Sequence, residues 1–203
     1  MKILICGDST ASDYDPEKTV QTGWGQALRD LMPEAEIRNH AMAGRSTRTF
    51  LGEGRLDRVT EETGPGDLML IQFAHNDENR EKPERFTEPW GDYQKNLRIF
   101  IDSARSRKAA PVLLTPICLR IWQDGVLQES HGEYRAAMAA VAETCGVPLI
   151  DAYRESYRIV QEAGEEGSRK LFMPEDIAHT GREGAEAFAR VIAKALRELR
   201  TAG

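Results

Sequence analysis

Two short apolar runs constrain this chain more than any other feature. Residues 3–6 (ILIC) are stopped by Gly7, and residues 68–74 (LMLIQFA) carry a single polar side chain. Neither shows the alternation of a strand with one wet face, so each reads as a strand buried on both faces. Three further short strands join them: residues 36–39, residues 112–115 between Pro111 and Pro116, and residues 148–150. Proline is tolerated at strand ends but not within a central strand, which bounds the fourth.

Helical patterns lie between the runs, at residues 25–31, 55–62, 93–107, 130–145 and 180–199. Leu97, Phe100, Ile101 and Ala104 show the spacing within the third. The last two open on Ser130 with Glu133 and on Thr180 with Glu183, each at capping-box spacing. Strands alternating with helices predict an α/β fold, one parallel sheet with helices on both faces. The strand order expected is the flavodoxin-like 2-1-3-4-5, with a ligand crevice at the carboxyl ends of the strands. With 203 residues and no repeat, linker or low-complexity segment, one domain over residues 1–203 is expected.

Composition narrows the partners. The 27 Lys and Arg against 33 Asp and Glu leave a net charge of −6, with no basic block, which argues against nucleic acid. Cys6, Cys118 and Cys145 form no CxxC pair and are odd in number, the usage of free thiols in a reducing compartment. No apolar run approaches the ~20 residues of a membrane span. Residues 3–6 fall short of a signal-peptide core of ~7–15 residues. The chain as it stands reads as cytoplasmic, with no membrane partner and a homo-oligomer left open.

The chemistry sits in two pieces at opposite ends. Gly7-Asp8-Ser9-Thr10 closes the first strand, and Asp176-Ile177-Ala178-His179 stands just before the last helix. A serine on the turn leaving a strand has a fixed, exposed hydroxyl, the position a nucleophile needs. An Asp three residues before a His can accept the imidazole N–H, leaving the other ring nitrogen to take the serine proton. Among His40, His75, His131 and His179, only His179 has a carboxylate at such a local spacing. Taken singly, Ser9 would pass as a turn serine and Asp176 as a helix-start acid. Together they make Ser9, His179 and Asp176 the candidate nucleophile, base and orienting acid. Ser46 is the rival nucleophile, although no complete G-x-S-x-G elbow occurs.

Acyl transfer also needs donors for an oxyanion. The N–H groups of Ser9 and Gly44 and the side-chain amide of Asn76 are the natural set. In Ala43-Gly44-Arg45 the missing Cβ would let a substrate approach the peptide N–H closely. Asn76 ends Ala74-His75-Asn76 at the mouth of the central strand, and Asp77 reads as orienting the loop. All should meet on one rim, with Arg120 after the fourth strand, provided the loop bearing Asp176 and His179 reaches it. With no clustered His and Cys, no phosphate loop and no G-x-G-x-x-G after a strand, no metal or other cofactor is expected.

These blocks resemble the SGNH (GDSL) hydrolase superfamily. Gly7-Asp8-Ser9-Thr10, residues 39–44, His75-Asn76-Asp77 and Asp176-x-x-His179 match its blocks in order, over essentially the whole chain. The resemblance implies a flavodoxin-like α/β/α sandwich, with Ser9, Gly44, Asn76, Asp176 and His179 as the catalytic set. A narrower likeness is to the rhamnogalacturonan acetylesterase branch of carbohydrate esterases. It rests on Gly23-Trp24-Gly25, on Gly44-Arg45-Ser46-Thr47-Arg48-Thr49-Phe50, and on Thr115-Pro116 running into Arg120 and Trp122. Ala74 stands where the third block usually has Gly.

The narrower likeness implies a serine esterase removing O-acetyl groups from plant cell-wall sugars, in particular pectin-derived oligosaccharides. Arg45, Arg48 and Arg120 could pair with a uronate carboxylate, and Trp24 and Trp122 could stack on a sugar face. The plainer readings are ion-paired rim arginines and core tryptophans. A thioesterase or lysophospholipase is the nearest alternative and would need an apolar channel, whereas the insert at residues 123–130 is polar. A non-enzymatic flavodoxin-like module is more remote. A phospho-receiver wants an acidic pair after strand one and a Lys after strand five, where this chain has Asp8 alone and Asp151-Ala152-Tyr153.

Overall fold

Along β1 (Lys2–Gly7) successive side chains leave opposite faces. Ile3 and Ile5 enter one hydrophobic core, Leu4 and Cys6 the other, as a pleated strand buried on both sides requires. In the computed structural model, which describes residues 1–202, β2 (Glu36–Asn39) lies on one side of β1 and β3 (Leu68–Gln72) on the other. Leu70 of β3 faces the first core, and Met69 and Ile71 face the second. Then come β4 (Ala110–Leu114), a two-residue antiparallel hairpin of β5 (Trp122–Gln123) and β6 (Val126–Leu127), and β7 (Leu149–Ile150). The main sheet is parallel with order β2-β1-β3-β4-β7, the 2-1-3-4-5 order expected.

Helix α1 (Trp24–Leu31) covers the first core. Helices α2 (Thr47–Gly52), α3 (Arg55–Glu62), α4 (Gln94–Ser106) and α5 (Gly132–Cys145) cover the second, and α6 (Ala152–Gly167) and α7 (Arg182–Ala202) return to the first. The result is a three-layer α/β/α sandwich. Phe50, Phe73 and Phe100 lock the second core, with ring centroids 5.3 to 5.6 Å apart, and each such pair contributes about 0.5–1.5 kcal/mol beyond area burial. Among the described residues no helix is long and apolar enough to cross a membrane.

Several local expectations change. Pro111 lies inside β4, opposite Met69. The Leu113 N–H donates to the Pro148 carbonyl, and β7 pairs only with Leu113 and Leu114. The Pro111 nitrogen is on that same edge, ahead of the start of β7, so no ladder bond is lost there. Ser130 does not cap α5. Its hydroxyl accepts from the Leu119 N–H, its own N–H donates to the Tyr153 hydroxyl, and the helix starts beyond His131 at φ 58°. Thr180 does not cap α7: the helix starts two residues later at Arg182, and the Thr180 hydroxyl donates to the Thr22 carbonyl. Helices α2 and α6 had no strong periodic signal: the first spans six residues, and the buried face of the second includes Ser156.

The segment Gly23-Trp24-Gly25 serves the approach of α1 to the turn after β1. The Trp24 N–H donates to the Thr10 carbonyl at 2.9 Å. A Cβ at Gly23 would lie 2.3 Å from the Ser12 carbonyl oxygen, and one at Gly25 would lie 2.5 Å from that of Ala11. No side chain fits there without moving the backbone that carries Ser9. Gly23→Ala should therefore destabilise the protein by about 1–3 kcal/mol, the range for overpacking. Urea unfolding measures this, and wild-type stability in the variant would refute the close-approach account.

Candidate active site

The turn after β1 is built around a fully buried carboxylate. One oxygen of Asp8 accepts from the Thr10 N–H at 2.9 Å and the Thr10 hydroxyl at 2.7 Å, and the other lies 3.0 Å from His75 Nδ1. Burial pushes the Asp8 carboxyl up, but the charge and hydrogen bond of His75 and the two Thr10 donors bring it below the ordinary carboxylate range. The Tyr14 hydroxyl donates to the Ser9 carbonyl at 2.8 Å, and burial, with the Asp8 charge next, pushes that phenol up to about 12. The turn is thus held from both ends. Ser9 is 8% exposed, more enclosed than the open hydroxyl expected of a strand-end turn.

The loop of residues 172–181 reaches this turn through backbone bonds. Met173 N–H donates to the His179 carbonyl at 2.8 Å and closes the loop on itself. Arg120 N–H donates to the Ile177 carbonyl at 2.7 Å, tying it to the loop after β4. Thr22 N–H donates to the Thr180 carbonyl at 2.9 Å, tying it to the segment before α1. Held this way, His179 Nε2 lies 2.9 Å from Ser9 Oγ, and His179 Nδ1 lies 2.7 Å from Asp176 Oδ2.

The other Asp176 oxygen accepts from the backbone N–H groups of Ala178 and His179 at 2.7 and 2.8 Å. Burial raises the Asp176 carboxyl, and the His179 N–H, the Ala178 N–H and the imidazole together outweigh it and bring it below the ordinary range. An ionised Asp176 fixes the imidazole with its proton on Nδ1 and the lone pair of Nε2 toward Ser9.

Gly44 and Asn76 come to the same rim from β2 and β3. Met42 N–H donates to the Gly7 carbonyl, which brings the loop after β2 to the end of β1. Asn76 Nδ2 donates to the Arg45 carbonyl at 3.1 Å. Buried Asp77 accepts from the Thr47 N–H and from the hydroxyls of Thr47 and Thr87, so it joins the start of α2 to the loop after β3, the orienting role expected of it. Among the described residues neither the Ser9 nor the Gly44 N–H donates to a protein acceptor. Gly44 has φ +78°, and its Cβ position faces the guanidinium of Arg85 at 3.4 Å. The side a Cβ would occupy is thus packed against Arg85, while the Gly44 N–H itself has no protein acceptor among the described residues.

Other sequence-selected residues separate. Ser46 is the N-cap of α2: its hydroxyl accepts from Thr49 N–H, and its own N–H donates to the Thr49 hydroxyl. Trp24 is fully buried and its indole N–H donates to Gln72 Oε1 at 2.7 Å, so it cannot stack on a sugar. Trp122 is partly buried against the first core with its indole nitrogen covered and unpartnered. Arg45 pairs with Glu53 and Arg48 with Asp92 at the rim. Arg120 donates to the Ser168 hydroxyl and the Glu165 carbonyl, has no carboxylate partner among the described residues, and lines a cavity of about 540 Å³ together with Asp176. Sequence spacing did not reveal Tyr14, Arg85, or the long-range pairs of His75 with Asp8 and His131 with Glu78.

A hydroxyl, an imidazole and a carboxylate in hydrogen-bonded series can carry out acyl transfer, and the family and relatives of the chain make it a carboxylic ester hydrolase. The model of the GDSL-like Lipase/Acylhydrolase family matches residues 5–187, and the chain belongs to that family. It is 37% identical over 202 residues to YesY of Bacillus subtilis, named as a probable rhamnogalacturonan acetylesterase, covering 97% of this chain and 93% of that protein. The rhamnogalacturonan acetylesterase RhgT of the same organism is 36% identical over 214 residues, covering 98% of this chain and 90% of RhgT. Among solved structures, the crystal structure of Bacillus subtilis YxiM superposes with a TM-score of 0.89 at 29% identity. The superposition takes in 100% of this chain and 57% of YxiM, so this chain spans a little over half of that one.

The placement of Ser46 is testable by stability. Ser46→Ala should cost about 1 kcal/mol, as loss of an N-cap does, read from urea denaturation. No change in stability would remove the capping assignment.

Proposed function

We propose that the chain is an acetylesterase working through an acyl-enzyme, with residues 1–203 as one catalytic domain and acetylated, pectin-derived oligosaccharides as substrates. The observation that carries the chemistry is the uninterrupted row from Asp176 Oδ2 to His179 to Ser9 Oγ, with spacings of 2.7 and 2.9 Å. His179 Nε2 takes the Ser9 proton as Ser9 Oγ attacks the acetyl carbonyl carbon. The carbonyl π electrons move to oxygen, where the N–H groups of Ser9 and Gly44 and the Asn76 amide receive the charge. Collapse breaks the bond to the sugar oxygen, which takes the proton from His179. Water, deprotonated by the same imidazole, then releases acetate and restores Ser9.

The naming of YesY and RhgT supports the rhamnogalacturonan substrate. Acidic sugar units would also suit Arg120, whose charge has no carboxylate partner among the described residues and which shares a cavity with Asp176. An active-serine probe such as a fluorophosphonate should label Ser9. Peptide mapping that finds the adduct on another serine would overturn the assignment.

Ser9→Ala and His179→Ala should each abolish nearly all turnover, and the double variant should lose little more, because the two act as a unit. Asp176 lies below the ordinary carboxylate range and so keeps its charge, and its hold on the imidazole, at neutral pH.

Acyl length separates acetyl transfer from the long-chain alternative. Nitrophenyl acetate should be cleaved with a far higher kcat/KM than the butyrate or octanoate. An apolar channel gains about 0.8 kcal/mol per buried methylene and would give the opposite trend.

A further inference from the structure

The loop after β3 carries a cation that neither the catalytic row nor the sugar-binding set uses. Arg85 Nη1 donates to Asn76 Oδ1 at 3.2 Å. Its carboxylate neighbour Glu84 is exposed and 3.7 Å away, and the Arg85 side chain itself is only 28% exposed. Both terminal nitrogens lie 3.4 Å from the Cβ position of Gly44, so the guanidinium packs against the glycine that supplies one proposed oxyanion donor while bonding the side chain that supplies another.

We infer that Arg85 is a positioning residue for the oxyanion site, acting through Asn76. The inference rests on the reading of Asn76 as an oxyanion donor. An arginine can only donate and a backbone carbonyl can only accept. Arg85 at Oδ1 and the Arg45 carbonyl at Nδ2 therefore lock the Asn76 amide in one orientation, with its second N–H left over. A flipped amide would set oxygen against the Arg45 carbonyl and nitrogen against a cation. The positive charge on Oδ1 also polarises the amide and makes that remaining N–H a stronger donor.

Both locks depend on one buried group. Asp77 binds Thr47 on the Arg45 side and Thr87 on the Arg85 side, and Arg85 N–H closes a turn onto the Lys82 carbonyl at 2.8 Å. The third-block aspartate thereby fixes the two partners of the asparagine beside it. Arg85 serves the reaction without touching the substrate.

The test is a double-mutant cycle on nitrophenyl acetate, a neutral ester with no carboxylate to recognise. Arg85→Gln should lower kcat about tenfold or more with KM unchanged, the scale of one charge-assisted hydrogen bond. Arg85→Lys should recover part of the loss, since an ammonium also donates to Oδ1, and it keeps the test open if the Gln variant folds poorly. Arg85→Gln in an Asn76→Ala background should add little to the loss from Asn76→Ala alone.

Effects that multiply in the double variant would show that Arg85 acts independently and would overturn the inference. So would a loss confined to KM, or one seen only with acidic oligosaccharides, either of which would make Arg85 a substrate contact. An unchanged Arg85→Gln enzyme would overturn it as well. Wild-type turnover in Asn76→Ala would instead bring down the underlying oxyanion reading, and the inference with it.

Discussion

The buried carboxylate of Asp8 is the interaction on which the rest of the site depends. A charge without exposure is costly unless its lone pairs are satisfied, and here Thr10 supplies two donors and His75 a ring nitrogen. Those bonds define the turn between β1 and α1, and Ser9 is the residue between the carboxylate and its donors. The turn is also roofed by the start of α1, where Gly23 just before the helix and Gly25 within it allow contact with the backbone of Ala11 and Ser12. The nucleophile is placed by main-chain geometry more than by its own side chain.

Sheet order supplies the second constraint. Because β1 lies between β2 and β3, the ends of these three strands are adjacent. Ser9, Gly44 and Asn76 each follow one of them within a few residues. Asp77 then braces two of the three loops, just as Asp8 braces the first. The two buried acids stand at the ends of neighbouring strands and accept from threonines on the loops they organise. The base arrives differently, on a loop with no strand of its own. Backbone hydrogen bonds from Thr22 and Arg120 hold that loop over the turn, and one from Met173 closes it on itself.

Much of this was legible beforehand. The apolar runs identified four of the five strands of the main sheet, residues 36–39 being read as a strand without one, and the Asp-x-x-His spacing identified a pair that is hydrogen-bonded within one turn of chain. What misled was reading residue type as role. Trp24, offered as a sugar-stacking residue or a core tryptophan, is the latter, because its indole is turned inward to Gln72. Ser130 and Thr180 had capping spacing, yet their hydroxyls bind loop backbone from distant segments. A capping box is a local pattern, and a long-range partner can take the same hydroxyl.

By itself the sequence determined the strands, their alternation with helices and the short-range chemistry. Each follows from interactions between residues close in the chain: the period of apolar side chains, a strand-ending glycine, an aspartate one turn before a histidine. Only the tertiary structure decided which distant groups meet. The 2.9 Å contact between Ser9 and His179 spans 170 positions, and the pairs of His75 with Asp8 and of Asn76 with the Arg45 carbonyl depend on loops folding onto a shared rim. Such contacts leave no periodic trace in the chain, because they are set by where the sheet delivers its loops and not by the spacing of the residues that touch.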